Sequence, residues 1–111
     1  MNGLVLVGAG PIGVDAARAC VAVGVADAVV AVADTDPAAR AAAAGIFGGL
    51  VVRTATDLPG PDAADVALLA FSSSAAATAP VVAEMLERRW HVVTTCEELS
   101  DPSCPERARL D

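Results

Sequence analysis

The stretch from Leu4 to Gly13, LVLVGAGPIG, constrains this chain more than any other ten residues. Four consecutive apolar residues suit a strand buried on both faces, where neither face calls for a polar side chain. Glycines follow at positions 8, 10 and 13, and an alanine-rich run with helical spacing begins at once. Strand, tight turn and helix come in immediate succession, so the helix must fold back against the strand. In the G-x-G-x-x-G spacing every glycine has a physical use. Gly8 makes the turn, Gly10 lets backbone approach a pyrophosphate, and Gly13 lets helix pack closely on strand. Pro11 removes one N–H donor, so an anion there relies on neighbouring amides such as those of Ile12 and Gly13. A glycine turn without a ligand has the same local sequence, and the rest of the chain must decide between the two.

In the first helix Ile12, Ala16, Ala19, Cys20 and Val23 are predicted to face inward, with Asp15 and Arg18 outward and Gly24 as the stop. Ala28 to Ala33, AVVAVA, predicts a second buried strand. Asp36 before Pro37 reads as an N-cap with proline at the first helical position, predicting a helix to about Ala44 that ends near Gly45. Leu50 to Thr54 and Val66 to Phe71 predict strands three and four, separated by DLPGPDAAD, where Pro59, Gly60 and Pro61 forbid a long regular helix. After Ser72, Ser73 and Ser74, Pro80 is expected at the start of a helix with Val81, Val82, Met85 and Leu86 inward and Glu84 paired with Arg88 outside. His91 to Thr95 predicts strand five. Strands alternating with helices predict an α/β fold, a Rossmann-type doubly wound parallel sheet of about five strands in the order 3-2-1-4-5. The dinucleotide-binding domain is expected over 1–96, with 97–111 a loop and tail.

Composition narrows the function. At 111 residues and 11.0 kDa the chain is one domain, small for a complete two-substrate enzyme. A net charge of -7 disfavours nucleic-acid binding, and a bound dinucleotide would have to be held by backbone N–H groups and a helix terminus. Cys20, Cys96 and Cys104 form no C-x-x-C pair, so neither a disulfide framework nor a metal site is expected, and a reducing, cytoplasmic setting fits. No basic leader or uninterrupted apolar span points to a membrane.

Asp34 lies 21 positions beyond Gly13, at the end of the second strand, where a carboxylate can accept hydrogen bonds from both adenosine ribose hydroxyls. Its charge repels a 2′-phosphate and favours NAD, while Arg40 on the next helix keeps NADP open. The plainer role for Asp34 is that of a turn residue ahead of Asp36. Ser72 to Ser74 and Thr94 to Glu98 should gather at the same sheet edge, though the serines also suit helix capping. Cys96 reads as a small buried filler, His91 as structural, and Glu97 with Glu98 as a solvated turn. No catalytic residue is assigned.

The segments VGAGPIG, AVADTDP and above all HVVTTCEELSDP resemble the N-terminal NAD(P)-binding domain of the dihydrodipicolinate reductase-like oxidoreductases, 2,4-diaminopentanoate dehydrogenases among them, from Leu4 to about Pro102. The resemblance implies an NAD(P)-dependent oxidoreductase acting at the carbon–nitrogen centre of an amino acid or related amine. It implies that Gly8, Gly10, Pro11, Ile12 and Gly13 hold the pyrophosphate, Asp34 the adenosine ribose, and Phe71, Ser72, Thr95 and Cys96 the nicotinamide side. The broader group related to glucose-fructose oxidoreductase shares the layout but usually has Glu-Lys-Pro where this chain has Cys96, Glu97 and Glu98. Such enzymes carry a substrate domain after strand five, so the expectation is a truncated cofactor domain, not catalytic alone, with that domain lost or on a separate chain. Strand five is then an exposed edge with Val92 and Val93 beside Trp90, which predicts self-association, such as a homo-dimer. A second function class is a non-catalytic nucleotide-sensing module like those of potassium-transport systems, which usually carry Gly-Asp-Ala after strand three, where TATDLPG stands here. A methyltransferase binding adenosylmethionine is a third, disfavoured because such loops seldom need all three glycines.

Overall fold

A strand with no exposed residue belongs in the middle of a sheet, and β1 (Gly3–Val7) takes that place. The computed structural model describes residues 3–58, 66–71, 74–96 and 104–105. Its other strands are β2 (Ala28–Ala33), β3 (Leu50–Val52), β4 (Val66–Leu69) and β5 (His91–Thr94). All pair in parallel, in the predicted order β3-β2-β1-β4-β5. Val7 is level with Ala33 of β2 on one side and with Leu69 of β4 on the other, so three strands end together where the order reverses. A Rossmann-type sheet opens its crevice at that point.

Alternation along β1 feeds two cores. Leu4 and Leu6 join Val29, Val32 and Leu68 beneath the first two helices, while Val5 and Val7 join Leu69, Val82, Met85 and Trp90 on the opposite face. Helix α1 (Pro11–Ala22) buries Gly13 and Ala17, with Val14, Ala16, Cys20 and Val21 packed beside them. The predicted stripe is therefore rotated: Ile12 and Val23 are 72% and 74% exposed, and Ala19 is exposed too. Close contact at Gly13 decides which side faces the sheet, and Ala17, one turn on, continues that side.

Helix α2 (Pro37–Phe47) begins as predicted, with the Asp36 carboxylate accepting from the Ala38 amide at 3.0 Å. It runs past Gly45 because Phe47 still packs on the core, and Gly48, at φ 69°, ends it in the left-handed region. Helix α3 (Ala75–Glu87) is capped by Ser74, whose hydroxyl accepts from the Ala77 amide at 3.4 Å. Pro80 thus lies inside the helix and not at its start. The amide it lacks would have met the carbonyl of Ala76, a residue exposed to water, which tempers the loss. Thr78 turns inward and Leu86 is 44% exposed, so the inner face differs from prediction there as well.

Strands β3, β4 and β5 each stop short of their predicted ends, leaving Arg53, Thr54, Phe71 and Thr95 as loop residues above the sheet. On β5 Val92 packs against the core and Trp90 is buried, so Val93, 55% exposed, is the apolar residue that this edge presents. Residues 59–65, which hold most of the predicted Pro-Gly loop, and most of the predicted tail lie outside the described residues. Among the described residues no helix is long and apolar enough to cross a membrane.

Candidate functional site

The three glycines of the first loop differ in what surrounds them. Gly8 sits at φ +97°, its amide donating to the Ala33 carbonyl at 2.8 Å. A Cβ there would lie 2.7 Å from the Phe71 backbone, so the loop passes too close to the end of β4 for any side chain. At Gly13 a Cβ would fall onto the Gly8 carbonyl oxygen and within 3.2 Å of the Ala70 Cβ. Gly10 has ordinary extended geometry, φ -71° and ψ 177°, and a Cβ would meet nothing within 4 Å. The fold itself needs glycine at 8 and 13. Position 10 is bare for no packing reason.

Gly10 is the N-cap of α1, and Pro11 is its first residue. The first helical bond beyond the cap runs from the Val14 amide to the Gly10 carbonyl at 3.0 Å. The amides of Ile12 and Gly13 precede it, in the turn where a helix has no carbonyl of its own to offer. No acidic side chain of the helix itself stands in that turn, so its amides and the positive end of the dipole meet no carboxylate from α1. This is the electrostatic condition an anion needs in a chain whose net charge is -7.

Asp34, half-buried, ties the loop to the second strand. One carboxylate oxygen accepts from the Ala9 amide at 2.7 Å and the other from the Asp36 amide at 2.8 Å. Asp34 therefore performs the turn role, and each oxygen keeps a lone pair for a further donor. Arg40 donates to the Asp34 carbonyl at 2.9 Å, so its guanidinium is anchored at the end of β2.

A cleft of about 200 Å³ opens beside this carboxylate. Its floor is Val7, Gly8 and Ala33, and its walls are Thr35, Arg53, Thr54, Ala55, Phe71 and Val81. The far wall is the short 3-10 turn Ala55–Asp57, which α3 holds in place. Arg88 donates to the carbonyls of Ala55 and Leu58 at 2.9 and 2.5 Å, and the Thr56 hydroxyl donates to Glu84 at 3.1 Å. Glu84 and Arg88, expected as a surface pair, thus both brace the wall. A second groove, of about 400 Å³, lies at the opposite sheet edge between the last turns of α1 and α2, away from the glycine loop.

The structure brings Gly8, Asp34 and Phe71 into one cleft, with Gly10, Pro11, Ile12 and Gly13 adjoining at the head of α1. Phe71, expected toward the nicotinamide, lines the same cleft as Asp34 and abuts Gly8. Thr95 and Cys96 lie apart from the cleft, beyond the end of β4: the Thr95 amide donates to the Leu69 carbonyl at 3.0 Å, and Cys96 is buried with its amide donating to the Thr94 hydroxyl at 3.1 Å. His91 begins β5, at the opposite edge. Ser72, Glu97 and Glu98 lie outside the described residues. Thr35, Arg53 and Thr54 are site residues that the sequence reading missed. The β2–β3 ladder ends at Ala33↔Val52, which sets Arg53 beside Asp34, and only the register reveals that neighbour.

Among solved structures, the chain is similar to a WlbA dehydrogenase from Chromobacterium violaceum in complex with NADH and UDP-GlcNAcA, with a TM-score of 0.71 and 25% identity. The match covers 88% of this chain and 28% of that one. A WlbA dehydrogenase from Bordetella pertussis, also in complex with NADH and UDP-GlcNAcA, gives a TM-score of 0.67 at 23% identity, over 83% of this chain and 27% of that one. The chain thus spans less than a third of the length of these dehydrogenases. No protein-family model and no curated protein sequence matches it.

Proposed function

We propose that this chain is the NAD(H)-binding domain of an oxidoreductase, holding the cofactor across the carboxyl edge of its sheet. The observation that carries the reading is Gly10, a position left bare at the head of α1, whose first turn holds no acidic residue, where the fold does not require it. A pyrophosphate there would take the amides of the first turn, and Asp34 would accept from the adenosine ribose while keeping its two backbone bonds. Its negative charge favours NAD over NADP. Ile12 and Phe71, 72% and 39% exposed, supply apolar surface that a bound dinucleotide would cover. The likeness to dehydrogenases in complex with NADH supports the same reading.

The nicotinamide, when bound, supplies hydride chemistry, and this chain's part is to bind and orient it. Hydride transfer also needs a substrate held against the ring in a water-poor pocket, which one open domain does not provide. A substrate domain, in the same longer protein or on a separate chain, completes the enzyme in this proposal. The TTCEEL segment supports membership of the dihydrodipicolinate reductase-like group and an amino acid or related amine as substrate. The three cysteines without C-x-x-C spacing support a reducing, cytoplasmic setting.

Titration of the folded chain with NADH, followed by nicotinamide fluorescence, tests the reading. Saturable enhancement, reversed by ADP-ribose, is expected. A flat titration overturns it, and preferential binding of adenosylmethionine would point to the methyltransferase class.

A further inference from the structure

We infer that Arg53 is the adenine-binding side chain of this site, laying its guanidinium on the face of the base. The inference rests on the dinucleotide reading above and goes beyond it by assigning a residue and a mode of contact. The register carries the first step: the Asp34 amide donates to the Val52 carbonyl at 3.1 Å, and Arg53 is the next residue to leave the sheet. Arg53 and the ribose-side carboxylate therefore rise together from neighbouring strands into one cleft.

The rest of that cleft suits a flat, largely apolar ring. Val7, Ala33, Ala55, Phe71 and Val81 present carbon to it. Of its polar side chains, Asp34 is engaged by two amides and the Thr54 hydroxyl donates to Asp57 at 3.0 Å. Arg53 is exposed, and among the described residues it has no hydrogen bond or ion pair, whereas Arg40 and Arg88 are both committed to backbone carbonyls. Asp34 accepts from the Ala9 and Asp36 amides and not from Arg53, and its remaining lone pairs are left for the ribose.

A guanidinium with no partner among the described residues, set at an apolar cleft, has two ways to serve a dinucleotide, by stacking on the base or by pairing with a 2′-phosphate. The surroundings favour stacking. Asp34, Asp36 and Asp57 all lie on the segments that frame the cleft, and their charges oppose a dianion. The guanidinium is planar and weakly hydrated, and it stacks on aromatic faces at little desolvation cost. The clamp of Arg88 and Glu84 on the 3-10 turn just beyond Arg53 holds its backbone in place, which lowers the entropy lost on binding.

The test uses the whole chain as wild type, Arg53→Ala and Arg53→Lys, each titrated with NADH, NADPH and ADP-ribose. Loss of the stack is expected to weaken NADH and ADP-ribose alike by about tenfold in Arg53→Ala. Arg53→Lys, which keeps the charge but not the plane, should recover little of that loss, and the exposed site should leave the unfolding midpoint unchanged. NADH affinity within about twofold of wild type in Arg53→Ala overturns the inference. A loss confined to NADPH also overturns it and reassigns Arg53 to the 2′-position. Failure of the wild type to bind NADH instead removes the dinucleotide reading itself, so the two failures are distinct.

Discussion

Replacing each loop glycine by alanine separates folding from binding. At Gly13 the new Cβ falls onto the Gly8 carbonyl oxygen, with the Ala70 Cβ 3.2 Å away, and neither backbone nor β4 can yield cheaply. Overpacking of this kind costs about 3 kcal/mol, at the upper end of the usual range. In a domain of this size that lowers the melting midpoint by about 12 to 24 °C. At Gly10 nothing lies within 4 Å and φ is -71°, so alanine fits the backbone. Its restriction of the unfolded chain is worth about 0.4–1 kcal/mol. Loss of the glycine N-cap preference offsets most of that, leaving stability within about 0.5 kcal/mol of wild type. The same Cβ would project into the space assigned to the pyrophosphate. Displacing one charge-assisted amide contact costs about 2 kcal/mol, or roughly 30-fold in NADH affinity. Urea unfolding followed by circular dichroism gives the stabilities and NADH fluorescence the affinities. Gly10→Ala should be stable and binding-deficient, and Gly13→Ala unstable. A Gly10→Ala protein that binds NADH as the wild type does would refute the reasoning, as would equal destabilisation by both.

Three further outcomes follow from the site. Asp34→Ala strips the partner from the Ala9 and Asp36 amides, held at 2.7 and 2.8 Å, and should cost about 1–2 kcal/mol in urea unfolding even without ligand. A purely ribose-binding Asp34 would lower affinity and leave stability untouched. Arg88→Ala releases the carbonyls of Ala55 and Leu58; the half-buried, partly solvent-screened bonds should be worth about 1–2 kcal/mol, and NADH should bind more weakly as the cleft wall loosens. Sedimentation of the wild type should show mass rising with concentration through the β5 edge, and Val93→Lys should suppress it, since a lysine on an edge strand opposes pairing. A strictly monomeric wild type at high concentration counts against that edge as an interface.

The sheet was legible because its signals are local and redundant. LVLV and AVVAVA are unbroken apolar runs, each followed by a turn residue with a defined job, and their alternation with helices leaves few topologies. The inner faces of the helices were less legible. In alanine-rich helices the few large apolar residues dominate any pattern, yet Ile12 and Val23 are exposed, and contact at a residue with no side chain, Gly13, sets the orientation. By residue type alone Gly45 and Pro80 signal helix boundaries, yet packing of Phe47 and capping by Ser74 carry each helix past them. At the site, Gly8, Gly13 and Asp34 could be placed because fixed spacings along one strand–helix–strand unit bring them together. Arg53 could not, since its neighbour Asp34 is 19 positions away and their meeting depends on where the β2–β3 ladder stops. The bracing of the 3-10 turn by Arg88 is likewise a tertiary fact, spanning 33 positions.

The most direct measurement is the map of amide chemical shifts on adding NADH to the isotope-labelled chain. Binding at the carboxyl edge should move Gly8, Ala9, Gly10, Ile12, Gly13, Asp34 and Arg53 together, while Val23, Asp27 and Phe47 at the opposite edge stay fixed. Shifts centred on the groove between the ends of α1 and α2, or no shifts in a folded protein, would contradict a cofactor held by this loop.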